Sequence, residues 1–190
     1  MNYYDLNAQE FFEGTVNADM SSHYKEFLSE IPKNGTLLDA GCGSGRDTLN
    51  FKKLGFNVVS IDGSEEMCKI ASKYIGDDVL HMQFQDITLE DCFDGIWASA
   101  SLLHVPSDEI EMVLKQFKKS LKRNGVLYAS FKYGNFEGKR NGRYFNDLTE
   151  ITAIRLFKKI NFEVIKTWIT KDSRKGRENE KWTNILVKKV

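Results

Sequence analysis

Residues 36–47, Thr-Leu-Leu-Asp-Ala-Gly-Cys-Gly-Ser-Gly-Arg-Asp, constrain the fold more than any other stretch of the chain. An apolar run ends in Asp39, glycines follow at 41, 43 and 45, and a helix-competent stretch comes next. That order reads as a buried strand, a tight turn and a helix N-terminus. Without Cβ atoms, the turn can bring backbone N–H groups close to a ligand, and the helix end favours negative charge such as a carboxylate. Asp39, at the strand's end, is a candidate to meet an ammonium group. The dinucleotide fingerprint G-x-G-x-x-G fails here, because its sixth position is Arg46.

At 190 residues the chain suffices for one core of ordinary size, so a single domain over 1–190 is expected. No run approaches the length of a membrane span, and the start Met-Asn-Tyr-Tyr-Asp lacks the basic-then-apolar order of a signal peptide. Cys42, Cys68 and Cys92 are widely spaced and form no C-x-x-C pair, which points to neither a disulfide framework nor a zinc site. The expectation is a cytoplasmic protein, monomeric or homodimeric, with no metal. The net charge of zero conceals a division, because residues 1–114 hold 7 Lys/Arg and 20 Asp/Glu whereas residues 115–190 hold 20 and 7. Solvated lysines on C-terminal helices explain this, and so does an anionic acceptor near that half.

In chain order, the aromatic-rich residues 2–14 and a helix through Met20, Tyr24, Phe27, Leu28 and Ile31 are expected to form an N-terminal helical lid over 1–34. The core would then run from 35 to 190. A helix from Thr48 to Leu54 leads to a second strand, Asn57–Asp62. An acid about 20 positions beyond the glycine turn suits a ribose, since two hydroxyl donors match two carboxylate oxygens; Asp62 is assigned that role. Ser64 caps the next helix, whose inner face is Met67, Ile70, Ala71 and Tyr74. Val79–Phe84 and Phe93–Ala100 are the third and fourth strands, and Val126–Tyr133, entered through Asn124-Gly125, is the fifth. Gly134–Asn146 reads as a polar loop over the carboxyl edge, and Asp147 with Glu150 as a capping box for a helix using Ile151, Ile154, Phe157 and Ile160. The segment between the last two strands is too short for a parallel crossover, so they form an antiparallel hairpin. Its loop, with Arg174, Arg177 and Glu178, should emerge at the ligand edge.

Leu38-Asp-Ala-Gly-Cys-Gly-Ser-Gly45 resembles motif I of the class I S-adenosylmethionine-dependent methyltransferases. With Asp62, Asp86, the Leu103-His-Val-Pro106 stretch and the terminal hairpin in register, the resemblance covers nearly the whole chain. The wording Gly-Cys-Gly-Ser-Gly-Arg-Asp, with Asn17-Ala-Asp-Met20 upstream, is similar to compact tellurite-resistance-type small-molecule methyltransferases. It implies an α/β, Rossmann-like, doubly wound seven-stranded sheet of order 3-2-1-4-5-7-6, with strand seven antiparallel. It implies S-adenosylmethionine as the cofactor, S-adenosylhomocysteine as the product, and a methyl group passed to a small-molecule acceptor.

The expected cofactor-binding residues are Tyr4, Asp39, Gly41, Cys42, Gly43, Arg46, Asp62, Gly63, Ser64, Gln85, Asp86, Ile87 and Ser99. Within this set the resemblance gives Asp86 the adenine amine and Ile87 the face of the ring. Acceptor-side candidates are His104, Arg143 and Asp19, with Lys132 and Tyr133. His104 reads either as a base of near-neutral pKa or as a structural histidine. Arg143 reads either as a clamp on a carboxylate or phosphate or as a solvated arginine. A nucleic-acid methyltransferase using the basic half, a non-catalytic S-adenosylmethionine-binding protein and a nicotinamide oxidoreductase are the alternatives.

Overall fold

The computed structural model describes residues 3–174, 176–177 and 179–190. Three short helices, α1 (Tyr3–Leu6), α2 (Ala8–Thr15) and α3 (Ser21–Leu28), precede β1 (Thr36–Ala40). Then come α4 (Arg46–Lys53), β2 (Asn57–Asp62), α5 (Glu65–Ile75), β3 (Leu80–His81), β4 (Phe93–Ala98), α6 (Ile110–Ser120) and β5 (Leu121–Lys132). A hairpin of β6 (Glu137–Arg140) and β7 (Arg143–Asn146), helix α7 (Glu150–Lys159) and a hairpin of β8 (Phe162–Lys171) and β9 (Lys181–Lys189) follow.

Seven strands form one Rossmann-like sheet in the order β3-β2-β1-β4-β5-β9-β8, which is the expected order when β8 and β9 are counted as strands six and seven. β1 to β5 are parallel, and β9 runs antiparallel between β5 and β8. Strands covered on both faces need apolar side chains on both. On one face Leu38, Ile96 and Leu127 meet Val113, Leu114, Phe117 and Phe157 from α6 and α7. On the other, Leu37, Trp97, Val126 and Tyr128 meet Phe27 of α3 and Phe51 of α4. Trp97 and Tyr128 stack at 4.1 Å between ring centres. Since Phe27 is fully buried, α3 belongs to the core and the covering segment is narrower than the 1–34 lid expected.

Several local expectations are corrected. The third strand pairs over Leu80–His81 only, because the chain then turns into a 3-10 helix, Phe84–Asp86, that places Phe84 5.5 Å from Phe117. Gly134–Asn146 contains the β6–β7 hairpin. Its two-residue turn is Asn141-Gly142, with φ of 48° and 76°, the chemistry that a tight hairpin prefers. β5 starts early but bulges, with Leu121 opposite Phe93 and Val126 opposite Gly95, and Asn124 takes a φ of 63°. The capping box of α7 is Thr149 with Thr152 rather than Asp147 with Glu150, because Asp147 pairs with Arg140 at 2.5 Å. Ile151 is exposed while Ala153 and Phe157 face inward, and Tyr74 is partly exposed against Phe12.

Gly95 in β4 lets α3 approach the sheet, and a Cβ there would lie 2.7 Å from Phe27 Cζ. Overpacking at such a contact typically costs about 1–3 kcal/mol. We expect Gly95→Val to lower unfolding stability by about that amount in urea titration, with the far-UV circular dichroism of the native state unchanged.

Candidate active site

The carboxyl ends of the parallel strands open on a cavity of about 910 Å³. Tyr4, Phe11 and Thr15 of α1 and α2 cover it, the glycine turn and the ends of β2, β4 and β5 floor it, and the tips of both hairpins close its far side. β8 runs with β1 to β5, so the β8–β9 loop leaves at this edge and brings Arg174 and Arg177 to the cavity. Glu178 lies outside the described residues.

At the near end the turn is held by β2. The N–H groups of Gly41 and Cys42 donate to the Ile61 carbonyl at 2.9 and 3.0 Å, and that of Gly43 donates to Asp62 Oδ2 at 2.9 Å. Gly41 and Gly43 take φ values of 78° and 54°. A Cβ would lie 2.5 Å from Ser101 Cβ at Gly41 and 3.2 Å from Phe11 Cε1 at Gly43, so side chains there would clash with the wall or fill the gap beneath the cover. Asp62 Oδ1 accepts from the Ser64 N–H at 2.9 Å. Burial raises the Asp62 pKa, and the two amide donors act against it. Ser64 Oγ accepts from the Met67 N–H and donates to Asp5 of α1 at 2.7 Å, which ties the cover to the end of β2.

Beneath the turn lies Asp47, a buried carboxylate absent from the sequence-based set. It accepts from Arg46 Nε and Nη2 at 2.7 and 2.9 Å, from Trp97 Nε1 at 2.8 Å and from the Tyr24 hydroxyl. Burial opposes its ionisation, yet Arg46 and these donors hold its pKa below the usual range. Arg46 also donates to the Thr15 carbonyl at 3.0 Å. The Arg46 guanidinium, expected among the cofactor-binding residues, is therefore largely spent on Asp47 and on α2. Asp39 does not border the cavity. It accepts from Thr48 Oγ1 at 2.6 Å, and burial, then the nearby Asp47 charge, push its pKa up to about 8. One acid of this neighbouring pair is charged and the other holds its proton.

At the far end His104 Nδ1 lies 2.6 Å from the Tyr144 carbonyl and Nε2 lies 2.6 Å from the Tyr4 hydroxyl. A carbonyl only accepts, so Nδ1 carries the proton, and the neutral ring accepts from Tyr4 at Nε2. Burial, then the Arg143 charge acting against the Tyr144 hydrogen bond, lower the His104 pKa to about 4. Arg143 stands over Tyr3 and Phe145, at 4.8 and 5.1 Å from the ring centres. Lys132 borders the cavity but pairs with Asp172 at 3.2 Å and with Glu180. Tyr133 borders it with an exposed ring.

The cavity thus gathers Tyr4, Gly41, Cys42, Gly43, Arg46, Asp62, Gly63, Ser64, Ser99, His104, Lys132, Tyr133 and Arg143. It leaves out Asp19, Gln85, Asp86 and Ile87 as well as Asp39. Asp19 is exposed and accepts from the Ser21 N–H at the start of α3. The early end of β3 moves the adenine-side residues, since Gln85 donates to Glu109, Asp86 is exposed and Ile87 is in the core. Met82, Gln83 and Phe84 form that wall instead. Asp47 closes the 36–47 stretch but was given no role there, and nothing local in the sequence marked its partners Tyr24 and Trp97.

A seven-stranded α/β sheet with its last strand reversed, a glycine turn after β1 and a carboxylate ending β2 is the architecture of class I methyltransferases. A family model described as a methyltransferase domain matches residues 38–129. An uncharacterized methyltransferase of Staphylococcus carnosus is 33% identical over 124 residues, which cover 61% of this chain and 60% of that protein. The chain therefore spans less than two thirds of that relative's length. The structure of Burkholderia thailandensis 1,6-didemethyltoxoflavin-N1-methyltransferase with bound 1,6-didemethyltoxoflavin and S-adenosylhomocysteine superposes with a TM-score of 0.79 at 17% identity, covering 98% of this chain and 84% of that one. TehB from Haemophilus influenzae superposes with a TM-score of 0.74 at 15% identity, covering 97% and 67%. At these identities the two structures share the fold. The chain thus matches a methyltransferase domain over residues 38–129 and shares the class I methyltransferase fold.

Two outcomes follow from the buried acids. Removing one partner of a buried, hydrogen-bonded ion pair costs about 3–5 kcal/mol, and we expect Asp47→Ala to lose that much in urea unfolding. Asp39 ionises near pH ~4 when unfolded and at about 8 in the fold. Between those values the native state holds the extra proton, so this residue's contribution to stability falls as pH rises. Melting curves of Asp39→Asn and wild type should diverge in favour of the variant from about pH 4 to about pH 8. A constant difference across that window would refute the assignment.

Proposed function

We propose that this protein transfers a methyl group from S-adenosylmethionine to a small-molecule acceptor. The reading is carried by one observation: the glycine turn with Asp62, and the Tyr4, His104 and Arg143 group, border the same cavity. The residues present fit the donor. The turn leaves room where any Cβ at Gly43 would intrude, and the volume falls in the range of small-molecule sites. When bound, the donor supplies a methyl group already activated on a sulfonium.

In this reading Gly41, Cys42 and Gly43 seat the amino-acid tail against the start of α4, and Asp62 takes the ribose hydroxyls. Met82, Gln83 and Phe84 flank the base in place of Gln85, Asp86 and Ile87. Tyr4 and Phe11 exclude water above the reacting centre. Holding donor and acceptor in line contributes the larger part of the rate, since such placement can be worth roughly 7–11 kcal/mol. His104, kept neutral by burial, offers Nε2 to an acceptor proton once the Tyr4 hydroxyl gives way. A small acceptor is supported by the confined cavity and by the bound heterocycle of the Burkholderia thailandensis enzyme that shares the fold. Free thiols at Cys42, Cys68 and Cys92 agree with a reducing cytoplasm.

Calorimetry with S-adenosylhomocysteine tests the donor half. Losing a hydrogen bond to a charged group costs roughly 1.5–3 kcal/mol, so Asp62→Ala should weaken binding by about ten-fold or more. Gly43→Val should do the same by filling the gap beneath Phe11. Asp86→Ala should stay within about two-fold. If both cavity variants, folded by circular dichroism, bind as tightly as wild type, the reading falls.

A further inference from the structure

Resting on that reading, we propose that the methyl acceptor is a small organic acid whose carboxylate or phosphate is bound by Arg143. The cavity wall built from residues 132–184 carries seven Lys/Arg against three Asp/Glu among the described residues, so this half of the site is positive. Four of these cations share the three carboxylates. Arg140 meets Asp147 at 2.5 Å, Arg174 meets Asp172 at 2.6 Å, Lys132 pairs with Asp172 and Glu180, and Arg177 lies 3.7 Å from Glu180. Arg143 differs from them in that, among the described residues, no carboxylate pairs with it; its Nε, like that of Arg140, is buried without a hydrogen-bond partner.

Its neighbours hold it without using up its donors. Tyr3 and Phe145 meet the guanidinium by their faces, a contact that fixes its plane and leaves its edge free. A planar fork with uncommitted N–H groups matches two oxygens of a carboxylate or phosphate, and a half-buried cation lacking a counter-ion gains most from such a partner. The position also serves the chemistry. The Phe145 ring lies against both Arg143 and His104, so an anion on Arg143 is brought within one side chain of the candidate base. That anion would offset the positive charge that, after burial, weakens His104 as a proton acceptor. Recognition of the acid and activation of its neighbouring hydroxyl or amine are thereby linked.

The test uses the full chain saturated with S-adenosylhomocysteine and titrated calorimetrically with benzoate, phenyl phosphate and uncharged benzamide at matched ionic strength. We expect at least one anion to bind about ten-fold or more tightly than benzamide. Arg143→Met should abolish the preference, Arg143→Lys should restore part of it, and Lys139→Met, at an exposed position on the same hairpin, should retain it. Which anion is preferred tells carboxylate from phosphate. The donor affinity of Arg143→Met should remain within about two-fold of wild type, and Arg143→Lys decides the matter if Arg143→Met does not fold. Equal binding of all three probes, or a preference that survives loss of the guanidinium, overturns the proposal. Failure of wild type to bind S-adenosylhomocysteine overturns the donor reading instead, and the anion titration is then run on the free protein.

Discussion

The buried Asp47 carboxylate joins parts of the molecule that are remote in sequence. Through Tyr24 it holds α3, through Trp97 it holds β4, and through Arg46 it reaches the Thr15 carbonyl at the end of α2. The aromatic layer under the sheet, with Phe27, Phe51, Trp97 and Tyr128, is packed around the same point. A charge in so enclosed a place is tolerated because each oxygen accepts at least two hydrogen bonds and a guanidinium lies against it. The glycine turn sits above this anchor, so its shape is fixed by the core before any ligand arrives.

That arrangement explains why the motif tolerates a protonated acid beside it. Two carboxylates so close in one dry region compete for charge, and the one with the guanidinium keeps it. Asp39 is answered by Thr48, which also bonds Ser60 at 2.8 Å, so β1, α4 and β2 share one polar link inside an otherwise apolar layer. Such a link costs little while it is satisfied and sets the register of the turn relative to β2. The ends of β1 and β2 are joined a second time through Gly43 and Asp62.

Much of this was legible in the chain. Short-range signals carried the alternation of strands and helices and the Ser64 cap, whereas the Asn-Gly dipeptide at 141–142 lay inside a stretch read only as a polar loop. What escaped notice depended on partners far away. Phe84 leaves the third strand because Phe117, on α6, offers it an apolar contact, and Asp86 is then turned out to solvent. Asp147 could not be told from a helix cap, because its claim on Arg140 exists only once β6 and β7 have paired. Asp39 read as a ligand contact because it ends a strand beside the glycines, whereas burial against α4 makes it a structural acid.

The N-terminal cover brings the two ends of the cavity under one control. Within a few residues, Asp5 meets Ser64 at the donor end, Tyr4 meets His104 at the other, and the Tyr3 ring lies against Arg143. Each contact crosses the cavity mouth from α1 to a different element, so the helix cannot lift from one end while keeping its full set at the other. A four-residue helix has almost no stability of its own, and its place is set by those three contacts together with the Tyr4 ring against Phe11. A molecule that donates to His104 Nε2 or accepts from Arg143 therefore competes with α1 at that end of the cavity. Over the glycine turn the cover is α2 instead, with Phe11 above Gly43 and the Thr15 carbonyl held by Arg46, so the two helices of the cover are fastened by separate polar contacts.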